Sequence, residues 1–146
     1  MTSPEIAANG VISVASNVAP RTVSDMVNYL LDDDKESANV LAQALQPLFN
    51  IVTVKTQEPS PYGPVVCKAR NPLAYKTLMN VLGMPSGPCR QPLGKMTRNG
   101  VDSVLTNVRK IYESNPQVLE PISDYFGVDL QDRLYNPKYT EGLYYA

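Results

Sequence analysis

Gly10-Val11-Ile12-Ser13-Val14-Ala15-Ser16-Asn17-Val18-Ala19-Pro20 contains a short apolar run that constrains the architecture of the whole chain. Val11, Ile12 and Val14 are β-branched, and Gly10 in front and Ser16-Asn17 behind bound the run. Its length, branching and flanks favour a buried strand over residues 10–15 rather than a helical segment. A strand that is apolar on both faces is typical of parallel sheets covered on both sides.

A buried strand needs neighbours that accept its backbone N–H and C=O groups. The chain offers one other β-branched run for this purpose, Ile51-Val52-Thr53-Val54. One such partner is too little to enclose a strand that is apolar on both faces. We therefore infer that the chain carries the last strand of a larger parallel-sheet protein, together with most of the region C-terminal to that strand.

Four motifs follow one another along the chain: Gly10 to Pro20, Leu45-Gln46-Pro47-Leu48, Asn71-Pro72-Leu73-Ala74-Tyr75-Lys76 and Arg90-Gln91-Pro92-Leu93. Together they resemble the dihydrodipicolinate synthase/N-acetylneuraminate lyase family. Gly10 to Pro20 is similar to the family's eighth barrel strand, and Leu45-Gln46-Pro47-Leu48 to its Leu-Met-Pro-Leu pattern. Asn71-Pro72-Leu73-Ala74-Tyr75-Lys76 resembles Asn-Pro-Ile-Pro-Val-Lys, and Arg90-Gln91-Pro92-Leu93 resembles Arg-Leu-Pro-Leu/Met. The resemblance covers roughly residues 6 to 113.

This resemblance implies a mostly α chain that holds part of a (β/α)8 TIM barrel. A complete barrel needs about 250 residues, whereas the chain has 146. The implied division is the end of the barrel over residues 1–33, with strand 10–15 and its helix, and the family's C-terminal helical region over 34–113. A helical, tyrosine-rich extension occupies residues 114–146. The barrel is incomplete.

Helical spacing of apolar residues predicts several amphipathic helices after residue 20. Thr22 is a candidate cap for a helix that ends at Asp32-Asp33-Asp34. A second helix is predicted from about Asp34 to Asn50, with a bend or local strain caused by Pro47. Prolines and a glycine interrupt residues 58–64, so residues 54–68 are interpreted as an inserted loop that can hold a short hairpin.

Asn71-Pro72 predicts the start of a further helix, with Asn71 as its cap. Thr97 or Asn99 opens the most regular helix, which extends to Asn115. Short helices are also predicted over residues 2–9, after Pro116 and over residues 130–135. For the tyrosine-rich residues 139–146 two expectations stand: packing on a neighbouring barrel or subunit, or a poorly ordered tail.

The family resemblance makes Ile12 the strand residue that lines the pyruvate pocket, with Gly10 and Ser13 beside it. An isoleucine supplies shape and dryness around a keto acid rather than proton transfer; the simpler alternative is that Ile12 is barrel core. Asn71 is interpreted first as a helix cap, and second as a group near the substrate or a monovalent cation.

The family's reaction needs a Schiff-base lysine and a tyrosine–threonine proton relay. The resemblance assigns all of these to barrel strands that precede the one present here, so no catalytic residue is expected in this chain. Its lysines fall on predicted helix surfaces, loops or the tail, where nothing would depress a lysine pKa. Lys76 matches a family lysine that resembles a structural residue.

Composition narrows the partners and the compartment. The net charge is −1 and the basic residues are scattered, so neither nucleic acid nor an anionic membrane is expected as a partner. Cys67 and Cys89 lack metal-ligand spacing and the chain has no histidine, so reduced thiols are expected rather than a disulfide, with no metal and no cofactor. The Asp32-Asp33-Asp34 run is interpreted as a solvated turn. No leader or long apolar stretch is found, so a cytoplasmic location is expected.

The leading hypothesis is the C-terminal portion of a lyase that resembles dihydrodipicolinate synthase and condenses pyruvate with aspartate semialdehyde in the diaminopimelate route to lysine. Such a chain would be inactive alone and would act with the remaining barrel segment or as a homo-oligomer, a tetramer in the family. One alternative is a fragment of a sialic acid lyase-type aldolase. The other is a non-catalytic helical interaction module derived from the same scaffold.

Overall fold

A computed structural model describes residues 8–145 of the chain. Over these residues the protein is mostly helical with one small antiparallel sheet. Its elements are α1 (Pro20–Leu31), α2 (Lys35–Asn50), β1 (Thr53–Glu58), β2 (Val65–Arg70), α3 (Leu73–Val81), α4 (Arg98–Ser114), α5 (Glu120–Phe126) and α6 (Leu130–Tyr135). Short 3₁₀ turns cover Val14–Asn17, Pro116–Val118 and Pro137–Tyr139. Most of the helix predicted over residues 2–9 belongs to residues 1–7, which lie outside the described part of the chain.

The segment before α1 does not form the predicted strand. Residues 10–13 have no regular structure, and Val14–Asn17 form a 3₁₀ turn. The strand predicted over residues 10–15 is therefore wrong for this chain by itself. The physical reason is that no strand of the described chain pairs with it: the expected partner, the Ile51–Val54 run, leads into β1, which pairs with β2 instead. Strand formation in a complete barrel stays a prediction.

Helices α1 and α2 pack against each other, and the aspartate run closes the turn between them. α1 begins at Pro20, two residues before the predicted cap Thr22, because proline suits the first turn, where its missing N–H is not needed. Asp34 caps α2: its Oδ1 accepts a hydrogen bond from the Ser37 N–H at 3.0 Å. Hydrogen bonds from Ser37 lower the pKa of the Asp34 carboxyl. The run is thus a turn and a cap, and α2 continues through Pro47 to Asn50.

The region interpreted as an inserted loop is a regular β-hairpin. β1 and β2 are antiparallel, with Thr53 opposite Arg70 and Glu58 opposite Val65. Side chains alternate between the two faces of such a ribbon. Val54 faces inward and is 5 % exposed, and β1 packs against α4 and β2 against α3.

The starts of α3 and α4 differ in how well the sequence predicts them. Asn71 makes no capping hydrogen bond, because Pro72 itself occupies the residue before the helix, so the predicted cap is wrong. Thr97 does cap α4, since its Oγ1 accepts a hydrogen bond from the Gly100 N–H at 3.0 Å. The predicted helical stripe on α4 is buried, at Val101, Val104, Leu105, Val108 and Ile111.

One hydrophobic core includes residues from all three predicted segments, 1–33, 34–113 and 114–146. It runs from Ala15 in the N-terminal segment to Leu134 in α6. Tyr75 of α3 crosses this core, and its hydroxyl donates a hydrogen bond of 2.6 Å to the carbonyl of Leu48, in the last turn of α2. Burial raises the pKa of Tyr75 to about 12. None of the helices within residues 8–145 has both the length and the apolar character that a membrane span requires.

Residues 134–145 contact the rest of the described chain, which corresponds neither to packing on a neighbouring subunit nor to a poorly ordered tail. The Arg109 guanidinium of α4 donates two hydrogen bonds to the Leu134 carbonyl, at 3.0 and 2.6 Å. The Tyr139 hydroxyl donates to Asp132 at 2.6 Å. The backbone N–H of Tyr145 donates to the carbonyl of Met96 at 3.0 Å.

The Tyr75 hydrogen bond gives a test of the core. Tyr75→Phe keeps the ring but leaves the Leu48 carbonyl without this donor in a buried site, so the free energy of unfolding should fall by about 1 kcal/mol. Urea unfolding measures the change. Tyr125→Phe is the matched control, because Tyr125 is 83 % exposed, and it should leave the free energy of unfolding unchanged. A loss in the control as large as that in Tyr75→Phe would contradict the assignment.

The Asp132 carboxyl makes the attachment of the tail pH-dependent. Hydrogen bonds from Tyr139 and Asn136, with further help from Lys138, lower the pKa of Asp132 from 3.8 to about 2. Because the folded pKa is depressed, this stabilisation is complete above about pH 4 and is lost as the pH falls towards 2. Amide hydrogen exchange of residues 136–140 should therefore accelerate between pH 4 and 2, relative to α4.

Asp132→Asn should remove that pH dependence, because no ionised carboxylate remains to be protonated. Asp124→Asn, at an exposed position on α5, is the control and should keep it. If, in the wild type, the exchange rate of residues 136–140 relative to that of α4 is the same at pH 4 and pH 2, Asp132 does not hold this segment in place.

Candidate functional site

The segment that the sequence assigns to a substrate pocket lies on the outside of the described chain. The Ile12 side chain is completely exposed, and Val11 is 47 % exposed. Gly10 is exposed too, with open space where a Cβ would be. Within the described residues, the backbone groups of residues 10–12 make no hydrogen bond. In this chain Ile12 is therefore neither core nor the wall of an enclosed pocket.

Ser13 marks the point where the segment joins the body of the protein. Its Oγ accepts a hydrogen bond from the Ala15 N–H at 3.2 Å and caps the 3₁₀ turn. Its carbonyl accepts a hydrogen bond from the Ser16 hydroxyl at 2.5 Å. After this turn Ala15, Val18 and Ala19 are buried in the core. Ser13 thus separates an exposed apolar segment from an anchored one.

Asn71 lies in a different place, in the exposed link between β2 and α3. Its side chain makes no hydrogen bond to the Gly10–Ser13 segment within residues 8–145. The structure therefore holds Gly10, Ile12 and Ser13 together only as chain neighbours and does not join Asn71 to them. Their proposed roles around a substrate stay predictions.

None of the lysines has the environment of a Schiff-base nucleophile. Such a lysine needs a lowered pKa, which burial or neighbouring cations provide. Six lysines are exposed, and Lys76 is half-buried, with its ammonium donating to the carbonyl of Pro88 at 3.2 Å. Lys76 therefore ties the loop after α3 to that helix.

A cleft that the sequence reasoning missed lies between the hairpin and the start of α4. It has a volume of about 260 Å³ and a mainly apolar wall, and its polar residues are Thr56, Cys67, Lys68, Lys95, Thr97 and Tyr145. The Tyr145 phenol oxygen accepts hydrogen bonds from the Lys95 backbone and the Gln91 side chain, which lower its pKa. Because Tyr145 belongs to the tail, only the folded arrangement forms this wall of the cleft. Neither cysteine is in a disulfide.

A polar cluster next to this cleft ties the hairpin to α4. Asn99 donates a hydrogen bond to Glu58 Oε2 at 2.8 Å, and the hydroxyls of Thr56 and Thr97 lie 3.2 Å apart. Those two hydroxyls lower the pKa of the Glu58 carboxyl, although its shielded Oε1 has no donor at hydrogen-bonding geometry. The cluster holds one carboxylate and no partner base, so it is a structural link rather than an acid–base pair.

Comparison with known proteins gives the class to which this arrangement belongs. The model of the dihydrodipicolinate synthetase family matches residues 3–111, which include the exposed segment, the α1–α2 pair and most of α4. This match covers well over half of the chain, and the chain belongs to the dihydrodipicolinate synthetase family.

Its relatives are similar over the same part of the chain. The 4-hydroxy-tetrahydrodipicolinate synthase of Methanocaldococcus jannaschii is 35 % identical over 112 residues, which are 75 % of this chain and 34 % of the relative. The enzyme of the same name from Methanothrix thermoacetophila is 37 % identical over 99 residues, 66 % of this chain and 29 % of the relative. The chain therefore spans about a third of the length of these relatives. No solved structure matches the chain.

Proposed function

We propose that this chain is the C-terminal portion of a Schiff-base aldolase that condenses pyruvate with aspartate semialdehyde, and that it is inactive without the rest of the barrel. The observation that carries the proposal is the exposed apolar segment at Val11 and Ile12. This segment lies within residues 3–111, which the family model matches, and the chain spans about a third of the length of its relatives.

An exposed segment of this kind is explained by a neighbour that covers it in the assembled enzyme. Its backbone groups are unpaired within the described residues, and the side chains of Val11 and Ile12 stand in solvent. Pairing between two barrel strands would satisfy the backbone, and covering helices would bury the side chains. The rest of the barrel can supply both the strands that pair with the segment and the helices that cover it.

Within that assembly the proposed roles depend on the position of each residue. Ile12 would form part of the dry wall of the pyruvate pocket, with Gly10 and Ser13 next to it and Asn71 at the loop before α3. The lysine that forms the imine, and the tyrosine and threonine that relay protons, would come from the partner segment. Assembly as a homo-oligomer and a cytoplasmic location belong to the same proposal.

A non-catalytic interaction module is the second candidate, and one observation favours it. Residues 15–134 share a single hydrophobic core, so most of the chain folds without a barrel around it. The two candidates differ in whether the Gly10–Ser13 segment pairs with barrel strands. Reconstitution with a barrel portion separates them.

The first test concerns the nucleophile. The chain is mixed with the barrel portion of the Methanocaldococcus jannaschii relative that precedes the matching region, then treated with pyruvate and borohydride. Reduction of the imine should add a pyruvyl group to the partner segment and leave the mass of this chain unchanged, because its lysines are exposed or tethered. Intact-mass spectrometry measures both chains. A pyruvyl adduct on this chain would refute the proposal, and an assembly that never forms would favour the interaction module.

The second test concerns Ile12. Because its side chain is fully exposed in the free chain, Ile12→Ala should change the free energy of unfolding by less than about 0.5 kcal/mol. In the reconstituted assembly the same variant should raise the KM for pyruvate by about tenfold, since a truncated apolar contact costs roughly 1–3 kcal/mol. Leu45→Ala, at a fully buried position, is the folding control and should destabilise the free chain by about 2–5 kcal/mol. Unchanged kinetics in Ile12→Ala would remove Ile12 from the pocket.

A further inference from the structure

The outer face of the hairpin carries an uncompensated group of positive charges. The register places Lys55 directly opposite Lys68, and Arg70 opposite Thr53, on the face that points away from α4. All six side chains of this face are exposed, and the remaining two are Gln57 and Val66. It therefore holds three cations and no carboxylate. We call Lys55, Lys68 and Arg70 the basic face.

The basic face has a cost in the isolated chain. Like charges directly opposite each other on a sheet are destabilising. Within residues 8–145 the ion pairs join Lys35 to Asp33 and Lys138 to Asp132, and none involves the basic face. An external anionic surface would turn this repulsion into attraction.

The same chain has an anionic surface at the turn between α1 and α2. Asp32, Asp33 and Glu36 are exposed there, and Asp34 adds a fourth carboxylate. Lys35 neutralises part of this charge through its ion pair with Asp33, which is 3.0 Å long and highly exposed. We call Asp32, Asp33 and Glu36 the acidic turn.

We propose that the basic face of one copy of this chain binds the acidic turn of a second copy. The two surfaces are complementary in charge, and the side chains of both are exposed. Complementary charge steers association and sets its register, while exposed pairs contribute modest affinity. The contact is head-to-tail, so each copy in a pair keeps one of its two surfaces free, and the pair as a whole can bind a further neighbour at either end. The inference does not depend on the proposed aldolase function, because neither surface includes residues 10–13.

Sedimentation equilibrium of the full chain tests the proposal. At about 50 mM NaCl the average mass should rise above the 16.0 kDa monomer as the protein concentration increases, and at about 500 mM it should return to the monomer value. Association through the apolar Gly10–Ser13 segment would respond differently, because salt does not weaken apolar contacts. The salt effect thus separates this contact from the strand pairing in the proposed function.

Charge reversal then identifies the surfaces. Lys68→Glu and Asp32→Lys should each weaken association at low salt by about tenfold, whereas the double variant with both changes should recover to within about threefold of wild type. Lys68→Glu also faces Lys55, so it replaces a repulsive pair and should not impair folding. Lys110→Glu, at an exposed position on α4, is the control for net charge and should leave association unchanged.

The outcomes are distinct. Loss in each single variant with recovery in the double variant supports the contact. A monomer at every concentration in low salt, association that persists in high salt, an equal loss in Lys110→Glu, or a double variant that does not recover would each overturn it. Circular dichroism of each variant at the same temperature excludes unfolding as the cause of a loss.

Discussion

Burial of the apolar stripe on α4 holds the described part of the chain together. Val101, Val104, Leu105, Val108 and Ile111 are almost completely shielded from solvent, and α4 packs against α2, α3, β1 and α6. Each such side chain contributes about 1.5–3 kcal/mol when it is fully buried. The hairpin packs on this helix through β1, and Arg109 of α4 attaches α6 through the Leu134 carbonyl.

The segment before Ser13 lies outside this core. Ala15, Val18 and Ala19 are part of it, but Val11 and Ile12, before Ser13, are exposed. The boundary is sharp because the 3₁₀ turn at Val14–Asn17 redirects the backbone towards α1. A family member that spans about a third of its relatives thus presents its most barrel-like segment to solvent.

The two faces of the hairpin have different surroundings: the inner face packs against the core and the outer face is exposed. Its inner face supplies Val54 to the core and links to α4 through Thr56 and Glu58, and Thr97 both caps α4 and meets Thr56. Its outer face is free of that packing and concentrates positive charge. Because strand side chains alternate, the two faces are independent, and charge on one does not disturb the apolar contacts of the other.

Elements whose signals are local were readable from the sequence. The α4 stripe and the break between the two hairpin strands were readable, and Thr97 was one of the two candidate caps of α4, because helical periodicity and capping act within a few residues. The family resemblance, carried by ordered motifs, was equally readable and is confirmed by the family match.

Features that depend on partners brought together by folding could not be read from the sequence. A β-branched run becomes a strand when another strand accepts its hydrogen bonds, so Val11–Ile12 stayed unpaired while residues 53–58 paired with β2. The last tyrosines are ordered because Met96 and Asp132 come within hydrogen-bonding distance of them. Asn71 does not cap α3, because the helix begins one residue later than predicted and Pro72 occupies the capping position. Periodicity reports which face of an element is apolar, but a backbone or side-chain hydrogen bond forms only where folding brings the second group within reach.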